Sequence, residues 1–117
     1  MVVLAQVSHH PPVSAFHLCH PAASATLCAA EQPRPRFNGL AVDVAREGSW
    51  TLRLGRAGET YRLNAPELCL RLLPVPGAEW GGDVRVVCEA SGLDAKITLH
   101  PRVLPGTRQH GVSGWVR

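Results

Sequence analysis

Apolar side chains in this chain recur at every second position, and that period confines it to strands with one wet and one dry face. Leu40, Val42 and Val44 alternate with Ala41, Asp43 and Ala45, and Trp50, Leu52 and Leu54 alternate with Thr51 and Arg53. Between the two runs, Arg46-Glu47-Gly48-Ser49 reads as the turn of a hairpin. Further strands are predicted over residues 60–63, 68–73, 83–89 and 95–100, separated by turn residues at 55–58, 74–82 and 90–92. Two more fall at 13–19 and 23–28, ahead of Pro33, and residues 101–114 make a loop before a last short strand at Trp115-Val116. Helical periodicity is nearly absent. About eight short strands at roughly ten-residue spacing predict a mainly β, antiparallel meander of the sandwich or barrel kind.

A length of 117 residues predicts one domain, and 45% hydrophobic with 18% charged residues is the balance of a folded chain. No apolar run approaches the roughly 18 residues of a membrane span. The start, Met1-Val2-Val3-Leu4-Ala5, lacks the basic region and apolar length of a signal peptide, which points to the cytoplasm. The net charge is +3, and the eleven arginines are spread from Arg34 to Arg117 with a single lysine, Lys96, so no basic stripe suggests nucleic acid as a partner. Cys19, Cys28, Cys69 and Cys88 contain no CxxC pair and sit among apolar residues, which predicts reduced, half-buried thiols rather than a disulfide framework. Strands that run out to both chain ends leave open edges, and open edges call for a pairing partner.

The least ordinary stretch is Gln6-Val7-Ser8-His9-His10-Pro11-Pro12. Pro11 pushes His10 away from helical geometry, and Pro11-Pro12 stiffens the corner, so the imidazoles are presented from a backbone with little freedom. In a regular strand His9 and His10 would point to opposite faces, whereas a proline bend lets the rings converge. A converging pair supplies N–H donors for a phosphate group, whose second pKa of about 6 lies near the ordinary histidine value of about 6.5. A turn carrying two solvated histidines has the same residues, and the residues alone leave both readings open.

The same run resembles the EQVSHHPP fingerprint of the oxysterol-binding protein family, the related lipid-transfer proteins included. Seven of its eight letters stand in order from Gln6 to Pro12, and Ala5 replaces the acidic first letter. Phe37-Asn38-Gly39 resembles the family's Phe-x-Gly, Trp50-Thr51-Leu52-Arg53-Leu54 with Glu59-Thr60-Tyr61 resembles its next hairpin, and Gly114-Trp115-Val116 resembles its Gly-aromatic-Val. The resemblance implies an incomplete antiparallel β-barrel, the central part of a lipid-binding domain, around a tunnel for a sterol or phospholipid. It also implies that His9 and His10 bind the lipid phosphate of phosphatidylinositol 4-phosphate, and that this lipid is exchanged for other cargo between membranes, with transient membrane contact and a peripheral location. The family's remaining phosphate ligands and its N-terminal lid map outside these 117 residues, which therefore form a partial domain whose transfer is expected to be impaired and whose open edges favour self-association.

Other chemistries have thin support. His9, His10, His17 and Cys19 or His20 lack the spacing of a zinc site, and no cofactor motif occurs. Ser8, Ser14 and Ser24 lie near histidines without a GxSxG elbow, and Gly81-Gly82-Asp83 is turn-like rather than a phosphate cradle, so no enzyme is predicted. The apolar set Leu52, Leu54, Leu70, Leu72, Val84, Val86, Ile97 and Leu99 suits a packed core or a tunnel wall, since both need an apolar inner face. The competing class is a β-sandwich interaction module with no tunnel.

Overall fold

The computed structural model describes residues 1–102 and 110–117. Among the described residues nine strands form one antiparallel sheet: β1 (Val2–His9), β2 (Pro12–His20), β3 (Ala25–Phe37), β4 (Ala41–Leu54), β5 (Glu59–Leu63), β6 (Glu67–Arg71), β7 (Gly77–Cys88), β8 (Leu93–His100) and β9 (Gly111–Val116). A 3-10 turn, Pro21–Ala23, joins β2 to β3. The strand order is β1-β2-β3-β4-β5-β7-β8-β9, with β6 also lying between β4 and β7. The two short strands fill one column end to end: β5 pairs with the far half of β4 and β6 with its near half. Asn64 bridges the gap between them. Its side chain accepts from Arg85 N and donates to Asp83 O, both at 2.8 Å, replacing ladder bonds that neither short strand supplies.

Four predictions about local structure are corrected. Residues 46–49 are not a hairpin turn: β4 runs unbroken through them, because the long β3 offers a partner at each position from Pro33↔Arg46 to Ala30↔Ser49. Gly48 allows this passage, since a Cβ there would lie 2.0 Å from Ala30 O. The strand at 23–28 continues to Phe37 across Pro33 and Pro35, beyond the last β2 pair at Glu31, where β3 has a neighbour on one side only and sheets accept proline. The turn expected at 74–82 ends at Pro76, and residues 77–81 pair with β6. Similarly, the last strand begins at Gly111, paired with His100, rather than at Trp115; part of the loop predicted before it lies outside the described residues.

The sheet is an open, incomplete barrel wall rather than a two-layer sandwich. Its radius of gyration is 16.4 Å, whereas a compact domain of this length has about 13.4 Å. Its accessible surface is 7796 Å², against about 6200 Å² for a folded monomer of this mass. Both departures describe a sheet without a covering layer. Among the described residues only Ala29, Ala65, Val84, Cys88 and Ala95 are buried apolar residues, and all are small or medium in size.

Candidate functional site

Register assigns the two faces. Cross-strand partners share a face, and the pairs Leu4↔Phe16, Leu18↔Leu27, Leu27↔Leu52, Leu52↔Tyr61, Leu63↔Val86, Val84↔Ile97 and Leu99↔Val112 lie on one of them. One apolar surface therefore runs unbroken from β1 to β9. Arg53, Arg62, Arg85 and Lys96 project from the other face, which is polar. The alternation read from the sequence becomes a single wall because every strand is antiparallel and in phase with its neighbours.

His9 and His10 stand at the β1–β2 corner, both exposed. A register shift between Gln6 and Ser8 inserts one extra residue, Val7, into β1. Without it His9 would fall on the polar face; the bulge turns it to the side of Gln6, which belongs to the apolar face. Gln6 Nε2 lies 3.2 Å from His9 Nδ1. With the amide donating to Nδ1, the ring proton resides on Nε2, which points away from the contact as a free donor. The His9 and His10 ring centroids are 5.7 Å apart and tilted by 40°. The rings thus converge as the proline corner predicts. His17 and His20 are not part of this group: His17 contacts Cys28, and His20 Nδ1 accepts from Ala23 N in the 3-10 turn. Among the described residues no three His, Cys, Asp or Glu side chains come together as a metal site. No helix of the described residues is long and apolar enough to cross a membrane.

Two groups near this corner escaped the sequence reading. The first is polar and sits within the apolar face. Arg46 donates through Nε and Nη2 to the Glu31 carboxylate, each at 2.8 Å, and Trp50 Nε1 donates to the same carboxylate. The Arg46 guanidinium lies 5.4 Å from the ring centroids of both Trp50 and Trp80, and Phe16 packs edge-on against Trp50. Only 12% of the Glu31 and 21% of the Arg46 side chain is exposed. The second is apolar and sits on the rim. β3 runs past the start of β2 toward the His9–His10 end, so the turn at 38–40 and the turn at 72–76 lie at that same end. Leu40 O accepts from both Leu72 N and Leu73 N, and Asn38 Oδ1 accepts from Leu40 N and Ala41 N, so the two turns are held together. Phe37, Leu40, Leu72, Leu73 and Val75 are nonetheless 47% to 67% exposed. Leu-Leu-Pro-Val-Pro in a turn, where polar residues are the rule, was the available signal.

Glu79 anchors the same rim from the polar face. It is buried, and its Oε2 accepts from Arg102 N at 2.7 Å and faces Arg71 Nη1 at 3.5 Å. His110 Nδ1 lies 3.9 Å from Oε1.

An open antiparallel wall with one continuous apolar face and a histidine corner on its rim has the architecture of an incomplete β-barrel. Comparison with known proteins is consistent with that class: the model of the family described as oxysterol-binding protein matches residues 1–117. The chain belongs to the oxysterol-binding protein family. It is 39% identical over 98 residues to oxysterol-binding protein-related protein 4B of Arabidopsis thaliana, covering 84% of this chain and 26% of that protein. With human oxysterol-binding protein-related protein 11 it shares 35% identity over 116 residues, covering 98% of this chain and 16% of the relative. It therefore spans about a quarter or less of the relatives it matches. Among solved structures, the Osh3 ORD in complex with PI(4)P from Saccharomyces cerevisiae superposes with a TM-score of 0.83 at 21% identity, over 98% of this chain and 31% of that one. The Osh1 ORD domain in complex with ergosterol superposes with a TM-score of 0.75 at 30% identity, over 86% and 25%.

Proposed function

We propose that residues 1–117 form part of an oxysterol-binding-protein-related lipid-binding domain and that the apolar face is one wall of its lipid tunnel. The observation that carries this reading is the convergence of His9 and His10 at the rim of that face, with His9 turned to its side by the bulge at Val7. The hydrocarbon part of a sterol or phospholipid needs only an apolar surface from which water is excluded. The phosphate of phosphatidylinositol 4-phosphate needs donors at the mouth, where its head group meets solvent, and the two imidazoles supply them. With centroids 5.7 Å apart, the two rings can each donate to a different oxygen of one phosphate seated against their edges. No bond is made or broken in this role, so it is binding and exchange rather than catalysis. The solved neighbour with ergosterol, 30% identical, supports the sterol class, and the neighbour with PI(4)P, 21% identical, supports the fold.

The exposed apolar tips belong to the same reading. Phe37, Leu40, Leu72, Leu73 and Val75 extend from the end that carries the histidines, and Arg36 lies beside them on β3. Side chains of this kind on a stiff turn enter the interfacial region of a bilayer, which sets the mouth against the membrane and gives the protein a peripheral, transient membrane contact on the cytoplasmic side.

Binding of a water-soluble phosphoinositide head group and of a fluorescent sterol, measured separately on the chain and on His9→Ala/His10→Ala, tests the assignment. The double variant is expected to lose head-group binding by at least 30-fold, equivalent to about 2 kcal/mol from two partly solvated charge-assisted bonds, and to keep sterol binding within threefold. Equal loss of both ligands, or loss of neither, refutes the role given to the histidines.

A further inference from the structure

The polar face carries a second pair of side chains that lipid binding does not use. His17 on β2 and Cys28 on β3 are direct cross-strand partners, and His17 Nδ1 lies 3.1 Å from Cys28 Sγ. Both are half-buried, and neither belongs to the apolar wall. The geometry points to Cys28 as a reactive thiol, with His17 as its proton acceptor, that exchanges with low-molecular-weight disulfides. This inference is independent of the lipid reading.

The chemistry follows from the contact. With its proton on Nε2, the imidazole offers Nδ1 as an acceptor to the S–H group, and proton transfer gives a thiolate beside an imidazolium. The thiolate attacks one sulfur of a small disulfide such as oxidised glutathione, forming the Cys28 mixed disulfide and breaking the original S–S bond. The departing thiolate takes up the proton held by His17, so one thiol is consumed and one released. Facing the pair are Val3 on β1, Cys19 on β2 and Thr51 on β4, and Arg53 stands one row along β4, opposite Thr26. Arg53 and the Met1 ammonium, which donates to Cys19 O at 2.9 Å, are the charged groups of that neighbourhood, and both are cationic, which favours a carboxylate-bearing disulfide.

The other three thiols provide the contrast. Cys88 is fully buried. Burial first, then a hydrogen bond with Asp43, pushes the Cys69 thiol up to about 11, which leaves little thiolate at neutral pH. Cys19 lies on the same face as Cys28, two residues along β2 from His17, but its cross-strand partner is Thr26 rather than an imidazole. Cys19 and Cys28 are diagonal across the ladder, a separation of roughly 7–8 Å that disfavours a disulfide between them. The product is therefore a mixed disulfide rather than an internal bridge.

The test is the rate of modification of the whole chain by oxidised glutathione, and by an aromatic disulfide reagent, between pH 6.5 and 8.5, with each cysteine quantified by peptide mass spectrometry. Cys28 is expected to react at least tenfold faster than Cys19 at pH 7, and its rate to fall less steeply toward pH 6.5. His17→Asn is expected to slow Cys28 at least tenfold and leave Cys19 unchanged, and Cys28→Ser to remove the fast phase. Cys28 reacting no faster than Cys19 overturns the inference. So does a Cys28 rate that falls tenfold per pH unit in parallel with Cys19, a readout that needs no variant and stands even if His17→Asn fails to fold.

Discussion

Glu31→Ala is the substitution that most directly tests how the apolar wall tolerates charge. It removes the acceptor of three hydrogen bonds, two from Arg46 and one from Trp50. What remains is a guanidinium, only 21% exposed, between two indole rings with no counter-charge. Breaking a buried pair from one side costs about 3–5 kcal/mol. Stacking of Arg46 on Trp50 and Trp80 is present before and after the change and does not enter the difference, and the partial exposure of the pair puts the cost at the lower end of that range. The expected loss is about 3 kcal/mol, or about 12 °C in Tm at about 4 °C per kcal/mol for this length. Replacing both partners by apolar residues of similar volume, Glu31→Met with Arg46→Met, removes the charges together and is expected to cost under about 1 kcal/mol. Urea unfolding followed by tryptophan fluorescence at sub-micromolar concentration reads both, because Trp50 is itself in the cluster. A single variant no less stable than the double one would refute the reasoning, since the pair would then be solvated and energetically idle.

Gly48→Ala is expected to destabilise by about 2 kcal/mol or more, because its Cβ would meet Ala30 O at 2.0 Å; Gly58→Ala, with open space but φ +66, should cost about 1 kcal/mol, and equal urea midpoints for the two would count against the close approach. Lys96 with Thr98 holds the Asp83 carboxyl below the usual range, and Arg85 does the same for Asp94. Both folded values lie under the unfolded ones, so the stability they add is present above about pH 4 and is lost as the pH falls through the lowered values. Circular dichroism should show acid unfolding beginning below about pH 4, less steeply in Asp94→Asn, and a signal flat down to pH 2 would rule this out. Leu72→Ser with Leu73→Ser is expected to reduce flotation with neutral vesicles at least fivefold while leaving soluble head-group binding unchanged; undiminished flotation would exclude these turns as the membrane contact.

Much of the site was legible because its signals are local. The His-His-Pro-Pro corner encodes its own bend, and period-two alternation encodes which side chains share a face, so His9, His10 and the apolar set could be named from their neighbours in the chain, except that Leu72 falls in the exposed turn after β6 and not on the wall. Residues 46–49 and 77–82 misled for the complementary reason. A Gly between polar residues has the composition of a turn, yet Gly48 serves a long strand whose residues from Val42 to Leu54 each find a partner on β3. Likewise Gly77 and Gly81 belong to a strand because β6 lies alongside them. Turn chemistry permits a reversal, and it is the neighbouring strand that decides whether one occurs.

By itself the sequence determined strand character, the apolar parity of each strand and the stiff histidine corner, all of which follow from backbone sterics and side-chain period. Tertiary structure alone decided that these parities join into one uncovered wall, because phase between strands depends on register. It also decided that the bulge at Val7 turns His9 to the side of that wall. Glu31 met Arg46 and Trp50, and His17 met Cys28, only when β2, β3 and β4 aligned. Contacts between residues 11 to 19 positions apart carry no mark in a chain read one residue after another, since nothing local constrains which strand will lie alongside.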